Sequence, residues 1–181
     1  MPPRAVLDAS VLVPRWSRGA LRNLALLDPP PCRLVWSTAI VGEVWRAMTT
    51  QRLRRGDPSV TIAAQSHAMW QWLDPVMEVV PAAAPPPGTP SSPMRDPRDE
   101  HLWNAALNAE AAYVVSHNTR HFPPPTPHSV NGERLLRHLV HNVEFVTAIE
   151  FIEDILGLDA TALHGAPIPP GGIIRSGRSR Q

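Results

Sequence analysis

The chain has 181 residues, 43% of them hydrophobic, with 17 basic and 16 acidic side chains and a formal net charge of +1. This is enough length and apolar content for one domain with a buried core, so disorder throughout is excluded. So small a net charge does not by itself argue for nucleic acid.

Composition narrows the field further. The one cysteine, Cys32, rules out an internal disulfide and any cysteine-rich zinc site. No apolar run approaches membrane-spanning length. Met1-Pro2-Pro3-Arg4 leads straight into strand-like sequence with no signal peptide, so a soluble, cytoplasmic protein is expected. Every basic residue is Arg and none is Lys. Arg suits bidentate phosphate contacts, although coding bias is the plainer cause.

Arg4-Ala5-Val6-Leu7-Asp8 reads as a short buried strand with a carboxylate at its exit, and Ala9 to Val13 turns at once into a helix. An Asp in that place serves equally as a turn former, an N-cap or a functional acid. Ala20 to Leu27 is a second helical segment, stopped by Pro29-Pro30-Pro31. Arg33 to Trp36 makes the second strand. Ser37 or Thr38 then caps a helix to about Met48, with Ile40, Val41, Val44 and Trp45 as its apolar face. Glu43 lies between those apolar residues. It is either paired with Arg46, or exposed at the stripe's edge, or held by a cation, since an uncompensated buried carboxylate is costly.

Gln51 to Arg55 is the densest basic patch and reads as a solvated face flanking an acidic site. Asp57-Pro58 restarts a helix through Ile62, Met69 and Leu73, in which Trp70 and Trp72 read as core or partner contacts rather than base-stacking platforms. Met77 to Val80 is a third strand, and Pro81 to Pro93 an extended loop.

The stretch from Pro93 to Phe122 organises the rest. Asp96 suits an N-cap and Pro97 the first helical position. Asp99 falls on the first turn and shares a stripe with Leu102, Trp103, Ala106 and Leu107. Ala112 to Val115 is a short buried strand closed by Ser116-His117-Asn118. Beyond it, Pro123 to Pro127 is a stiff connector, and Gly132 to His141 is expected to be a helix through Leu135, Leu136, Leu139 and Val140. Val143 to Val146 is the last strand. Thr147 to Glu150 matches a capping box opening a helix that Gly157 ends.

Alternation of strands and helices predicts an α/β fold, a central parallel sheet of about five strands with helices on both faces. Sites in such sheets form at the carboxyl ends of the strands, where Asp8 and Asn118 both fall. The expected organisation is a single domain over 1–160 with an inserted segment at about 123–142. A loosely ordered tail over 161–181 follows.

Four stretches, VLDASVLV, STAIVGEVWRAM, DPRDEHLWNAAL and VVSHNTRHF, together resemble the PIN domain, the nuclease fold shared by VapC-type toxins and RNA-processing enzymes. The resemblance covers about Val6 to Phe122 and resumes weakly over Val143 to Leu156. It implies acidic residues meeting in one cleft: Asp8, Glu43 and Asp99, with Asp96 one turn earlier as a further metal neighbour or only the cap. The fourth family position, commonly Asp, is here Asn118, which supplies a neutral oxygen and holds a second metal less firmly.

Carboxylates crowded together repel unless protonated or bridged by a cation. Oxygen ligands favour Mg²⁺ or Mn²⁺. The implied activity is metal-dependent hydrolysis of RNA phosphodiesters, with Asp8, Glu43, Asp99 and Asn118 catalytic and Ser10, Arg120 and His121 contacting substrate. The implied partners are the RNA, a cognate antitoxin and a second copy of the chain in a homodimer. Histidine pairs at 117/121 and 138/141 without HExxH or a cysteine pair make a poor zinc site. No GxSxG elbow or GxGxxG turn is present. The remaining rival is a PIN-like module that binds RNA or a partner without cutting.

Overall fold

A computed structural model describes residues 1–85, 87–130 and 133–165. Its centre is a seven-stranded sheet in the order β3-β2-β1-β4-β7-β6-β5. The strands are β1 (Arg4–Leu7), β2 (Arg33–Ser37), β3 (Met77–Val80), β4 (Tyr113–Val115), β5 (Thr126–Val130), β6 (Glu133–Val140) and β7 (Val143–Val146). The five from β3 to β7 in that order run parallel, and β6 and β5 extend the β7 edge as antiparallel strands. The parallel α/β sheet is therefore as the sequence predicts, with a hairpin added at one edge.

Among the described residues seven helices accompany the strands, five between them and two after β7: α1 (Ala9–Leu12), α2 (Arg15–Ala25), α3 (Thr38–Arg54), α4 (Ser59–Leu73), α5 (Glu100–Asn108), α6 (Ala148–Glu150, continued as a π turn over Phe151–Ile155) and α7 (Ala160–Gly165). Burial of Val6, Leu7, Val35, Val114 and Val115 inside the sheet explains why these strands are apolar runs rather than alternating ones. Trp36, Trp103, Phe145 and Phe151 are the largest fully buried side chains. Trp70 joins the core by packing on Trp36, ring centroids 4.9 Å apart.

Four local expectations are corrected. Gly132–His141 is not a helix: its described part is strand β6. The two-residue connection His141-Asn142 has positive φ at both positions, 47° and 68°, the geometry that folds a strand tightly back on its neighbour. The open edge of β7 then supplies backbone partners that a surface helix there would leave without a sheet. Trp45 does not belong to the apolar face of α3 but is exposed, because the buried line is Ile40, Val44 and Met48 at four-residue spacing and Trp45 stands one step round the helix. The second helical segment starts at Arg15 rather than Ala20, directly after Pro14. Packed chain also continues beyond residue 160, because α7 buries Leu163 completely. The rest of the expected loose tail, 166–181, lies outside the described residues.

The long 81–93 connection is held by helix α5, through Trp103 Nε1 donating to Pro90 O (3.2 Å) and Asn108 Nδ2 to Ala83 O (3.1 Å). It delivers Asp96 and the short 3₁₀ turn Pro97–Asp99 to the end of the sheet where β1 and β4 finish.

Candidate active site

Parallel pairing fixes the centre of the site. Leu7 is in register with Val115, so Asp8 and Ser116 leave the sheet side by side. The Asp8 backbone N–H still donates to Val115 O at 3.0 Å. The Asp8 side chain is only 8% exposed. One of its oxygens, Oδ2, accepts from both Ser10 Oγ (2.6 Å) and Ser116 Oγ (2.5 Å). The same two hydroxyls order the following turn: His117 N–H donates to Ser10 Oγ at 2.9 Å and Asn118 N–H to Ser116 Oγ at 3.0 Å. A buried carboxylate, two serines and two backbone amides thus form one network, the kind of satisfaction a charge in this position requires.

Asp99 stands across the same end of the sheet. Its Oδ2 lies 2.6 Å from His121 Nδ1, and Asp96 Oδ2 lies 3.9 Å from that nitrogen. Asn118 Nδ2 is 2.8 Å from Nδ1 as well. A single ring nitrogen cannot both donate to the carboxylate and accept from the amide. When His121 donates to Asp99, the amide oxygen of Asn118 is therefore the end that suits the ring. Asp96 also caps its turn, accepting from Arg98 N–H at 2.9 Å.

Glu43 projects from α3 toward α5 and pairs with His101 Nε2 at 3.1 Å, not with Arg46. His101 Nδ1 donates to Arg98 O at 2.8 Å. Both ring nitrogens face acceptors. Burial disfavours the charged ring, but Glu43, the Arg98 carbonyl and the more distant charge of Asp8 outweigh it, and the His101 pKa rises above the ordinary imidazole value. His117 behaves oppositely: burial lowers its pKa against the pull of Asp8. Its ring packs on Trp16 with centroids 5.3 Å apart, and its buried Nε2 has no hydrogen-bond partner among the described residues.

The amino-acid sequence of residues 4–120 matches the profile of the PIN domain. The chain belongs to the PIN domain family. Comparison with curated proteins and with solved structures finds no match. PIN domains are generally nucleases, bind nucleic acids and typically use divalent metals, so membership points to nuclease-type function.

In this PIN domain Ser116 links Asp8 and Ser10 to Asn118, and His121 links Asn118 to Asp99 and Asp96, while Glu43 reaches the Arg98 backbone through His101. Arg120 is exposed on the same 3₁₀ turn as His121. Each principal acid has its own protein partner: serines at Asp8, His101 at Glu43, His121 at Asp99. Among the described residues no group of three or more His, Cys, Asp or Glu side chains is disposed to hold a metal ion. The donor types nevertheless suit a hard cation, being carboxylate and amide oxygens, and Asp8 Oδ1 carries no hydrogen bond among the described residues.

Two site residues, Ser116 and His101, are not singled out by the sequence. Ser116 was findable, since the residue after a parallel neighbour strand must stand beside the Asp that follows β1. His101 gave no such signal, because its pairing with Glu43 depends on how α3 and α5 pack. No helix of the described chain is long and apolar enough to cross a membrane.

Proposed function

We propose that this PIN domain is an Mg²⁺- or Mn²⁺-dependent endoribonuclease of the cytoplasm, cutting RNA to leave a 3′-hydroxyl and a 5′-phosphate. One observation carries the reading: Asp8 and Asp99, from opposite sides of the site, are linked through Ser116, Asn118 and His121 at the carboxyl ends of β1 and β4. Asp8, Asp99 and Glu43 are the residues that would hold the ion, with Asp96 beside Asp99. When bound, a divalent ion offsets phosphate charge and lowers the pKa of a coordinated water.

The chain's own groups do the rest. Ser10 and Ser116 fix the Asp8 carboxylate, and the backbone of residues 117 and 118 is tied to the same hydroxyls, so the acid and the turn carrying Asn118 are oriented together. Asn118, a neutral donor and acceptor, suits a phosphate oxygen. His121 and Arg120 follow on the same turn and suit contacts to the substrate backbone. His101, with its raised pKa, offsets the charge of Glu43, and His121 holds the Asp99 carboxylate by a hydrogen bond at 2.6 Å.

The test is incubation of the full chain with mixed RNAs, with and without Mg²⁺ or Mn²⁺, beside Asp8→Asn and Asp99→Asn. Cleavage should need the ion and fall by roughly a hundredfold or more in each variant, the scale on which one charge-stabilising group acts. Cleavage that needs no metal, or that survives both substitutions, refutes the mechanism.

A second reading is a module that binds RNA or a protein without cutting it. It is favoured by Asn118 in the usual acid's place and by the histidines seated on Glu43 and Asp99. Retained RNA binding with no cleavage under any metal would select it. As a nuclease the chain further suits the role of a toxin, active as a homodimer and restrained by a small antitoxin. A neighbouring gene for such a protein, and suppression of cleavage by its product, would bear this out.

A further inference from the structure

Outside the acidic site a cavity of about 1280 Å³ opens between α2, α3, α4 and α7. Five arginines line it, Arg15, Arg18, Arg22, Arg52 and Arg55, together with Trp16 and Trp72, and no carboxylate does. In a chain whose charges nearly cancel, that is a local excess of one sign. Arg52 is partly offset by Asp57 at 3.4 Å. Arg18 shows the crowding: burial first, then the charges of Arg15 and Arg52, lower its pKa. Arg18 is committed to the fold, donating to Leu12 O and Val13 O at 2.7 and 3.0 Å. Arg15 and Arg55 are exposed, with their charge turned to solvent.

The aromatic groups are placed as unusually as the charges. Trp72 is 37% exposed, with the Arg22 guanidinium 4.6 Å from its ring centroid and Arg22 Nε donating to the Trp72 backbone carbonyl at 3.0 Å. Such an indole does not serve the core, as Trp70 does. Trp16 lines the cavity and packs at a tilt on His117, whose backbone N–H is bonded to Ser10 beside Asp8.

A second hollow continues the first. Val13, Gln51 and Arg55 belong to both, and the second adds Arg46, Arg54 and Glu43. The surface of α3 from Arg54 to Glu43, about 17 Å of helix, is therefore a basic path from the arginine cavity to an acid of the candidate active site.

We infer that this cavity holds a stretch of single-stranded RNA, with phosphates on Arg15, Arg52 and Arg55 and a base against Trp72, and that the strand passes along α3 to the acidic site. The inference deepens the nuclease reading by naming the surface that seats the substrate away from the cleaved bond. Arginine forks match phosphate oxygens, and exposed indoles accept unpaired bases of any sequence. A duplex hides its base faces and would leave the indole unused. The cavity also exceeds the size usual for a small-molecule site, as an extended polymer requires. An acidic peptide would satisfy the arginines but not Trp72.

The test is fluorescence anisotropy of a labelled single-stranded RNA with the full-length Asp8→Asn chain in chelator, so that association is read without cleavage. Arg15→Gln and Arg55→Gln, both exposed, and Trp72→Ala are introduced singly in that background, with Arg33→Gln, at the amino end of β2 and outside the cavity lining, as a control for net charge. Each cavity variant should weaken binding roughly fivefold or more. Each arginine variant should also lower the slope of log affinity against log salt by about 0.7. Arg33→Gln should change neither.

Equal affinity in all variants, or no affinity for RNA, overturns the inference. So does displacement by polyglutamate as effective as by unlabelled RNA, which would assign the cavity to an acidic protein. RNA left intact by the wild-type chain with metal, while binding still follows the cavity substitutions, removes the nuclease reading and leaves this one standing.

Discussion

Asp8 depends on its neighbours more than on its own position. Its Oδ2 takes two hydroxyl hydrogen bonds in a nearly water-free setting, and hydrogen bonds to a charged group are worth more than neutral ones. Ser116→Ala removes one of them and also frees the Asn118 amide. It should lower stability by about 1–3 kcal/mol in urea unfolding and cleavage by roughly ten- to a hundredfold, the usual cost of losing a group that orients a metal-binding side chain. A variant with unchanged stability and cleavage would mean that Ser10 alone positions Asp8.

The histidines give a pH test with a definite sign. A folded-state pKa above the unfolded value means that the His101–Glu43 pair stabilises fully below the ordinary imidazole range, and that this contribution is lost as pH rises through the raised value. His117, shifted the other way, costs stability as pH falls below that range. Without added metal, His101→Gln should lose more stability at pH 5.5 than at pH 8, and His117→Gln should lose less at pH 5.5. Unfolding at both pH values checks each difference against wild type; a parallel loss at both would remove the charged pair from the account.

At the scale of elements, apolar strands, proline punctuation and capping residues were legible, and so β1 to β4, β7 and the parallel sheet could be read directly. The capping box at Thr147 and Glu150 is present in both halves: Thr147 Oγ1 accepts from Glu150 N–H at 3.2 Å, and Glu150 Oε2 from Thr147 N–H at 2.7 Å. The hairpin was not legible, for a physical reason. Leu135, Leu136, Leu139 and Val140 satisfy helical spacing, and the turn that overrules it is His-Asn rather than a glycine-bearing pair. Arg137 and Glu144 add a cross-strand ion pair at 2.9 Å that helical spacing cannot express. Asn142 tolerates its φ of 68° where a β-branched residue does not. Asn142→Val should therefore cost about 1–2 kcal/mol, read by chemical denaturation, whereas Asn142→Gly should be close to neutral. Equal effects of the two would show that the turn's backbone does not hold the hairpin.

At the scale of the whole molecule, the last described helix decides where the cooperative unit ends. α7 lies on α2, with Leu163 fully buried and Asn23 Nδ2 donating to the Leu163 carbonyl at 2.7 Å. Sequence alone ends the domain before it, since a six-residue helix with one large apolar side chain has no recognisable stripe. Its worth is visible only against α2, the helix that also carries Arg15, Trp16 and Arg22. Chain from beyond the PIN match thus braces one wall of the basic cavity, and its His164 is among the residues lining that cavity. Leu163→Ala should cost about 2–5 kcal/mol if α7 unfolds with the sheet. Tryptophan fluorescence and far-ultraviolet circular dichroism should then give one shared transition at lower denaturant. An unchanged main transition, with α7 melting separately ahead of it, would place the end of the cooperative unit at residue 160 and leave α2 to stand on its own packing.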